Sequence, residues 1–266
     1  MQVWKQLNSH NVALLAGGVA MYGLLSVFPG LAAAVSIYGL FATPAGVLAL
    51  MSVFSGILPA EVWSIFNAQL QNVVAYGHGT LTAAAVIALL IALWSARLTM
   101  SALMTATNIA YDQPERRGFL FQIMVSLLLT LGVIVGFLLM LLIGVIVPLA
   151  LAVLGTAPWM QLTVTVMRWL LLWVFALLGL SVVYHFAPAR RPARWRWVTW
   201  GSALAATCWL IVSGLFGLYV RAFPDYDRLY GALGGVVVLL MWFYLLSYIV
   251  VVGAEINAAL ELRTPA

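Results

Sequence analysis

Two ionisable residues, Arg97 and Glu255, lie within long apolar stretches of the sequence. A buried charge is costly unless another charge or a hydrogen bond compensates it, so such residues indicate pairing or solute binding. At helical spacing each shares a face with further polar and aromatic residues: Trp94, Ser101, Met104 and Asn108 for Arg97, and Tyr244, Tyr248 and Val251 for Glu255. The pattern predicts an Arg97–Glu255 ion pair. Two alternatives stay open: Arg97 extends to lipid headgroups while Glu255 caps a helix end, or the pair is purely structural.

The first apolar stretch carries a second group of candidate residues. Tyr22, Ser26 and Pro29 share one helical face, and Pro29 predicts a kink or break near Phe28. A broken helix leaves backbone groups free to bind a solute, whereas a simple kink serves packing. The candidate substrate-binding residues are therefore Tyr22, Ser26, Arg97, Asn108, Tyr248 and Glu255.

Patterns typical of catalysis are missing from the sequence. It has no Cys-x-x-Cys, P-loop or Gly-x-Ser-x-Gly motif. Its three histidines, His10, His78 and His185, are widely separated, and Cys208 is its only cysteine. We therefore predict no catalytic residue, no metal site and no cofactor.

One hydrophilic loop is basic and aromatic. It carries Trp195 and Trp197 together with four arginines: Arg190, Arg191, Arg194 and Arg196. Arginine and tryptophan can bind single-stranded nucleic acid, but beside a membrane the same residues fit anionic lipid headgroups. We expect membrane lipids as partners here, and no nucleic acid.

The elements that position these residues are membrane-spanning helices. Hydrophobic residues make up 65% of the chain and charged residues 7%, and six long gaps separate the charges. Each gap is long enough for a helix of about 20 apolar residues. We predict an all-α, polytopic six-helix transmembrane bundle in a single domain, 1–266, with a short helical cap between spans 1 and 2. The predicted spans cover about 12–41, 81–104, 120–147, 160–186, 198–220 and 231–260, and the interfacial or re-entrant cap covers about 44–76.

The arginines predict the orientation of these spans. Eight basic residues fall on the side of the two termini and two on the other side, which places both termini in the cytoplasm of a bacterium. A seventh span over 45–58 would move only Lys5, so charge does not exclude it, but this stretch is too short to cross.

Three stretches of the sequence resemble the YihY/BrkB family of bacterial inner-membrane proteins, long mislabelled ribonuclease BN. They are 20–29 around Tyr22, 93–111 around Arg97 and Asn108, and 230–258 around Glu255. The loop from Pro188 to Trp197 also fits, so the resemblance covers nearly the whole chain. Family members often carry a second Tyr beside the one at Tyr22, and this chain does not. The resemblance implies a candidate transporter.

We therefore expect a transporter or flippase of a small or amphiphilic solute, with a site between spans 1, 2 and 6. A non-transporting scaffold for envelope assembly is the alternative, and ribonuclease activity is less favoured. The sequence leaves the oligomeric state open, although Gly132-x-x-x-Gly136 could pack against another helix.

Overall fold

The computed structural model describes residues 2–39, 83–154, 158–189, 198–222 and 234–261. Every regular element within these ranges is an α-helix, which confirms the predicted all-α fold. In chain order the helices are α1 (Gln2–Ser9), α2 (Val12–Gly39), α3 (Ala83–Ala110), α4 (Phe119–Leu154), α5 (Pro158–Phe186), α6 (Trp200–Ala222) and α7 (Gly234–Glu261).

Helices α2 to α7 are each long and apolar enough to cross a membrane. Their candidate spans are Val12–Gly30, Leu89–Ala110, Phe119–Met140, Thr163–Phe186, Trp200–Val220 and Gly234–Glu261. The number of candidate spans confirms the predicted six-helix transmembrane fold. The short helix α1 was not predicted. The predicted cap over 44–76 and the basic loop with Arg190, Arg191, Arg194 and Arg196 lie outside the described residues.

Pro29 and Pro148 each lie inside a helix, and neither proline ends its helix. Helix α2 continues past Pro29, so a break near Phe28 is not present. Helix α4 likewise continues past Pro148, beyond the predicted end of span 3 near 147, and runs to Leu154. Proline removes one backbone hydrogen bond, and in transmembrane helices neighbouring groups compensate for this loss.

The helices form two compact units. Unit 1 consists of Met1–Gly17, Met100–Leu215 and Leu245–Ala266, and unit 2 of Gly18–Thr99 and Phe216–Tyr244.

Five helices supply the apolar core of unit 1. Its buried residues come from the second half of α3, from α4, α5 and α6, and from the end of α7: Met100, Met104, Leu129, Val183, Tyr184, Ala205 and Ala254. Helices α6 and α7 approach each other closely, since a Cβ added to Gly201 would overlap the backbone oxygen of Gly253. Small residues at such crossings let backbones approach closely.

In unit 2, the first halves of α2 and α3 and that of α7 meet around Gly23. A Cβ added to Gly23 would lie 3.7 Å from the Phe243 ring and 3.8 Å from the Thr99 methyl group. These are ordinary van der Waals contacts, so this helix contact does not depend on a missing side chain.

Candidate functional site

The site begins at Glu255, a carboxylate in the last two turns of α7 that is completely buried. Its Oε1 lies 2.7 Å from Nδ1 of His10, a hydrogen bond between residues 245 positions apart. Its Oε2 is also buried and has no hydrogen-bond partner among the described residues. A buried acceptor without a partner costs about 1–3 kcal/mol, so stability alone does not explain this arrangement.

The turn between α1 and α2 positions His10. The His10 amide donates to Gln6 O at 2.9 Å, and the next residue, Asn11, has a positive φ of 50°. Asparagine tolerates this left-handed conformation better than most residues do. Asn11 O then accepts bonds from Leu14 and Leu15, which start α2. The tight turn holds the imidazole at the edge of unit 1, with 15% of its side chain exposed.

The second ring nitrogen of His10 faces Asp112, just beyond the end of α3. Nε2 lies 3.4 Å from Asp112 Oδ1. The amide of Gln113 donates to Asn108 O and that of Asp112 to Ile109 O, the two bonds of a Schellman motif. Asp112 holds the left-handed position of this motif, with φ of 51°, where glycine is usual. The strain costs about 1–2 kcal/mol, and the helix dipole also disfavours an anion there.

Asn108, a predicted site residue, links two loops of unit 1. Its Nδ2 donates to Glu115 Oε2 at 2.9 Å, and its Oδ1 accepts from the Ala189 amide at 2.6 Å. It is almost completely buried. These bonds fix the connection after α3 against the end of α5, which gives Asn108 a positioning role.

Arg117 caps the carboxyl end of α5. Its guanidinium donates to the backbone oxygens of Phe186 and Ala187, each at 3.1 Å, and also to Pro188 O. The last carbonyls of a helix lack partners within the helix, and a cation there also complements the dipole. Glu115 holds the arginine in place by accepting the Arg117 amide at 2.9 Å.

The amino end of α6 is capped from two sides. Thr199 and Ser202 form a capping box: the Thr199 amide donates to Ser202 Oγ at 3.0 Å and the Ser202 amide to Thr199 Oγ1 at 3.2 Å. The intervening amide of Gly201 donates to Asn257 Oδ1 of α7 at 2.9 Å. Glu255 and Asn257 therefore lie on a segment of α7 that is fixed against α6.

Tyr184 joins α5 to the same part of α7. Its hydroxyl donates to Val250 O at 2.7 Å and lies over Gly253, where a side chain would displace it. We call the whole hydrogen-bonded region the polar end of unit 1; it comprises His10, Asn108, Asp112, Glu115, Arg117, Tyr184, Gly201, Glu255 and Asn257.

The structure distributes the six predicted site residues between the two units. Asn108, Tyr248 and Glu255 belong to unit 1, and Tyr22, Ser26 and Arg97 belong to unit 2. Tyr248 is half-buried on α7, two turns before Glu255. The predicted Arg97–Glu255 ion pair and the predicted site between spans 1, 2 and 6 stay predictions.

The unit 2 candidates make local contacts. The Arg97 guanidinium lies 4.4 Å from the centroid of the Trp94 ring, a cation–π contact one turn apart, and Arg97 is only 9% exposed. Ser26 Oγ donates to Gly23 O at 2.7 Å. Tyr22 is exposed.

Sequence reasoning missed His10, Asp112 and Arg117. Each lies at a helix end or in a loop, where apolar periodicity gives no signal. One signal was available: His10 directly precedes span 1 and Asp112 directly follows span 2, so the topology places both at the membrane face where Glu255 ends span 6.

A carboxylate, an imidazole and a second carboxylate in a row can bind and pass protons. An imidazole can accept a proton at one nitrogen while it donates from the other. Within the described residues, no group of three or more His, Cys, Asp and Glu side chains could hold a metal ion.

The chain is similar to several known proteins. A family model described as virulence factor BrkB matches residues 3–266. A YfkH ribonuclease-like protein of Bacillus subtilis (strain 168) is 34% identical over 209 residues, which cover 77% of this chain and 74% of that protein. No solved structure matches the chain.

Shorter matches link the chain to UPF0761 membrane proteins. The Vibrio parahaemolyticus relative (serotype O3:K6, strain RIMD 2210633) is 40% identical over 96 residues, covering 35% of this chain and 29% of the relative. The Idiomarina loihiensis relative (strain ATCC BAA-735 / DSM 15497 / L2-TR) is 35% identical over 80 residues, covering 30% of this chain and 28% of the relative. The family match over nearly the whole chain and the six apolar spans agree, and the chain therefore belongs to the BrkB family of membrane proteins.

Proposed function

We propose that the protein transports a small or amphiphilic solute, such as a lipid, across the bacterial inner membrane. The observation that carries the proposal is Glu255, a fully buried carboxylate in a membrane-spanning helix with one oxygen left unpartnered within the described part of the chain. Ionisable groups within membrane spans are expensive, and they commonly mark solute or ion pathways.

The missing hydrogen-bond partner of Glu255 Oε2 among the described residues favours a functional role for this carboxylate over a structural one. A purely structural carboxylate would have both oxygens paired, as the side chain of Asn108 has both its oxygen and its nitrogen paired. Asn108, Arg117 and Asn257 already connect the helices of unit 1, so the burial of Glu255 adds cost without an evident structural need.

Proteoliposomes test the proposal. Wild-type protein and Glu255→Gln would be assayed for exchange of a fluorescent phosphatidylglycerol between leaflets and for uptake of radiolabelled amines, amino acids and organic acids. We expect the wild type to move at least one probe faster than protein-free vesicles, and Glu255→Gln to lose ~10-fold or more of that rate. A folded wild type that moves none of these probes, or a variant as fast as the wild type, would contradict the proposal.

The second candidate is a non-transporting membrane scaffold for envelope assembly. The dense hydrogen bonding at the polar end of unit 1 favours it, because rigid cross-links between helices suit a fixed framework. Ribonuclease activity, suggested by the name of the Bacillus relative, is less favoured, and we propose that the protein is not an enzyme; cleavage of a labelled RNA by the purified protein would overturn this.

We place both termini in the cytoplasm. The support is the eight-to-two bias of basic residues between the two sides of the membrane. A green fluorescent protein fused after Ala266 should fluoresce, and alkaline phosphatase fused there should be inactive; the reverse pattern would refute the orientation.

A further inference from the structure

We propose that Asp112, His10 and Glu255 form a proton relay between the aqueous surface and the membrane interior, with Glu255 as the terminal proton-binding site. The inference rests on the proposed transport function and deepens it, because it makes the proton the ion that couples to solute movement.

The contacts have the order that a relay requires. His10 Nε2 lies 3.4 Å from Asp112 Oδ1, and His10 Nδ1 lies 2.7 Å from Glu255 Oε1. Both nitrogens of one imidazole therefore face carboxylate oxygens. A neutral imidazole carries one N–H and one lone pair, so a proton can arrive on one side and another can leave from the opposite side.

Exposure falls steadily along the three side chains. Asp112 is 67% exposed, His10 15% and Glu255 0%. The first group therefore exchanges protons with bulk water, the second lies at the boundary, and the third has no direct access to solvent. This gradient leads from the surface of unit 1 to a buried carboxylate in a membrane span.

The unpartnered oxygen of Glu255 gives the relay an end point. Oε2 is buried, and no donor for it is present among the described residues. The charged groups that act on this carboxylate are His10 and Asp112, the other two members of the relay.

The transfer balances without any other reactant. Asp112 takes a proton from hydronium in bulk solvent, which leaves as water, and passes it to His10 Nε2. The resulting imidazolium gives its Nδ1 proton to Glu255 Oε1. One proton enters and one is bound, the charge of the imidazole is restored, and the ring is left with its proton on Nε2. Ring rotation or the reverse transfer then regenerates the starting tautomer.

Infrared spectroscopy tests the relay without a known solute. The full-length protein in a lipid film is taken from about pH 8 to about pH 5, a range in which histidine changes charge, and the carboxylic acid band is followed over time. Glu255→Gln identifies the band of Glu255 by removing it. We expect His10→Gln, which keeps an amide donor for Glu255 but cannot relay, to slow the appearance of this band ~10-fold or more.

Two further variants sharpen the test. Asp112→Asn tolerates the positive φ and removes only the charge, so it should slow the band less than His10→Gln does. His185→Gln is the matched control, because this half-buried histidine packs edge to face against Phe186 and is not part of the relay; it should leave the rate unchanged.

The outcomes separate the relay from the transport proposal. A Glu255 band that appears as fast in His10→Gln as in the wild type, or the absence of any such band, would overturn the relay while Glu255-dependent transport could still stand. A band slowed by His10→Gln in a protein that moves no probe would support the relay and contradict solute transport.

Discussion

At the scale of single residues, Arg117 shows how a loop charge can serve the fold. The sequence counts it among the basic residues that orient the chain, yet its guanidinium contacts three backbone oxygens at the end of α5. Glu115 holds it from the other side. The same residue therefore contributes to orientation and to the capping of a helix.

Arg117→Gln should destabilise the protein. It removes charge-assisted bonds to carbonyls at the end of α5, and such bonds contribute about 1.5–3 kcal/mol. The measurement is the midpoint of thermal unfolding in detergent. Arg116→Gln, which changes the exposed neighbouring arginine, serves as the control and should shift the midpoint little; equal shifts in the two variants would contradict the capping role.

The sequence predicted part of the polar chemistry and missed its pairing. Glu255 and Asn108 were found because polar residues stand out within apolar helices. His10 was not linked to Glu255, because no local pattern reports a contact across 245 positions. Asp112 was missed because it holds the left-handed position of the turn after α3, where glycine is the usual signal.

At the scale of helices, the crossing of α6 and α7 determines where Glu255 lies. Gly201 and Gly253 bring the two backbones together, and the Gly201 amide donates to Asn257 two residues beyond Glu255. We therefore expect a change that separates these helices to weaken the contact between Glu255 and His10.

Gly201→Ala should destabilise unit 1. The added methyl group would overlap Gly253 O and lie 2.6 Å from Asn257 Cγ, and overpacking of this kind costs about 1–3 kcal/mol. Gly214→Ala, in the same helix but with open space around it, should be neutral or gain up to about 1 kcal/mol in helix propensity. The midpoints of thermal unfolding of both variants test this prediction. A Gly201→Ala variant with the midpoint of the wild type would refute the tight crossing.

The spans were predictable because hydrocarbon demands continuous apolar helices. The ends of the helices were harder to predict than the spans themselves. Pro148 is an example: proline usually stops a helix in water, but α4 continues past it to Leu154. Because the membrane interior has no water to hydrogen-bond the backbone of a frayed helix end, continuing the helix has the lower free energy.

At the scale of the whole molecule, six apolar spans carry few charges. Most of the basic residues cluster toward one predicted side, and the polar end of unit 1 includes the groups next to the amino terminus and at the ends of α3 and α5. Among the described residues, the apolar helix surfaces suited to lipid thereby occur together with a concentrated polar region in unit 1. We infer that the proton or solute chemistry of the protein belongs to that region.

A structure determined in lipid nanodiscs, at a resolution that shows bound water, tests this account most directly. We predict a polar cavity that reaches Glu255 Oε2 and opens to one face of the membrane or to lipid, with His10 between Glu255 and Asp112. A tightly packed interior in which protein donors satisfy both oxygens of Glu255 would contradict the transport account and favour a scaffold.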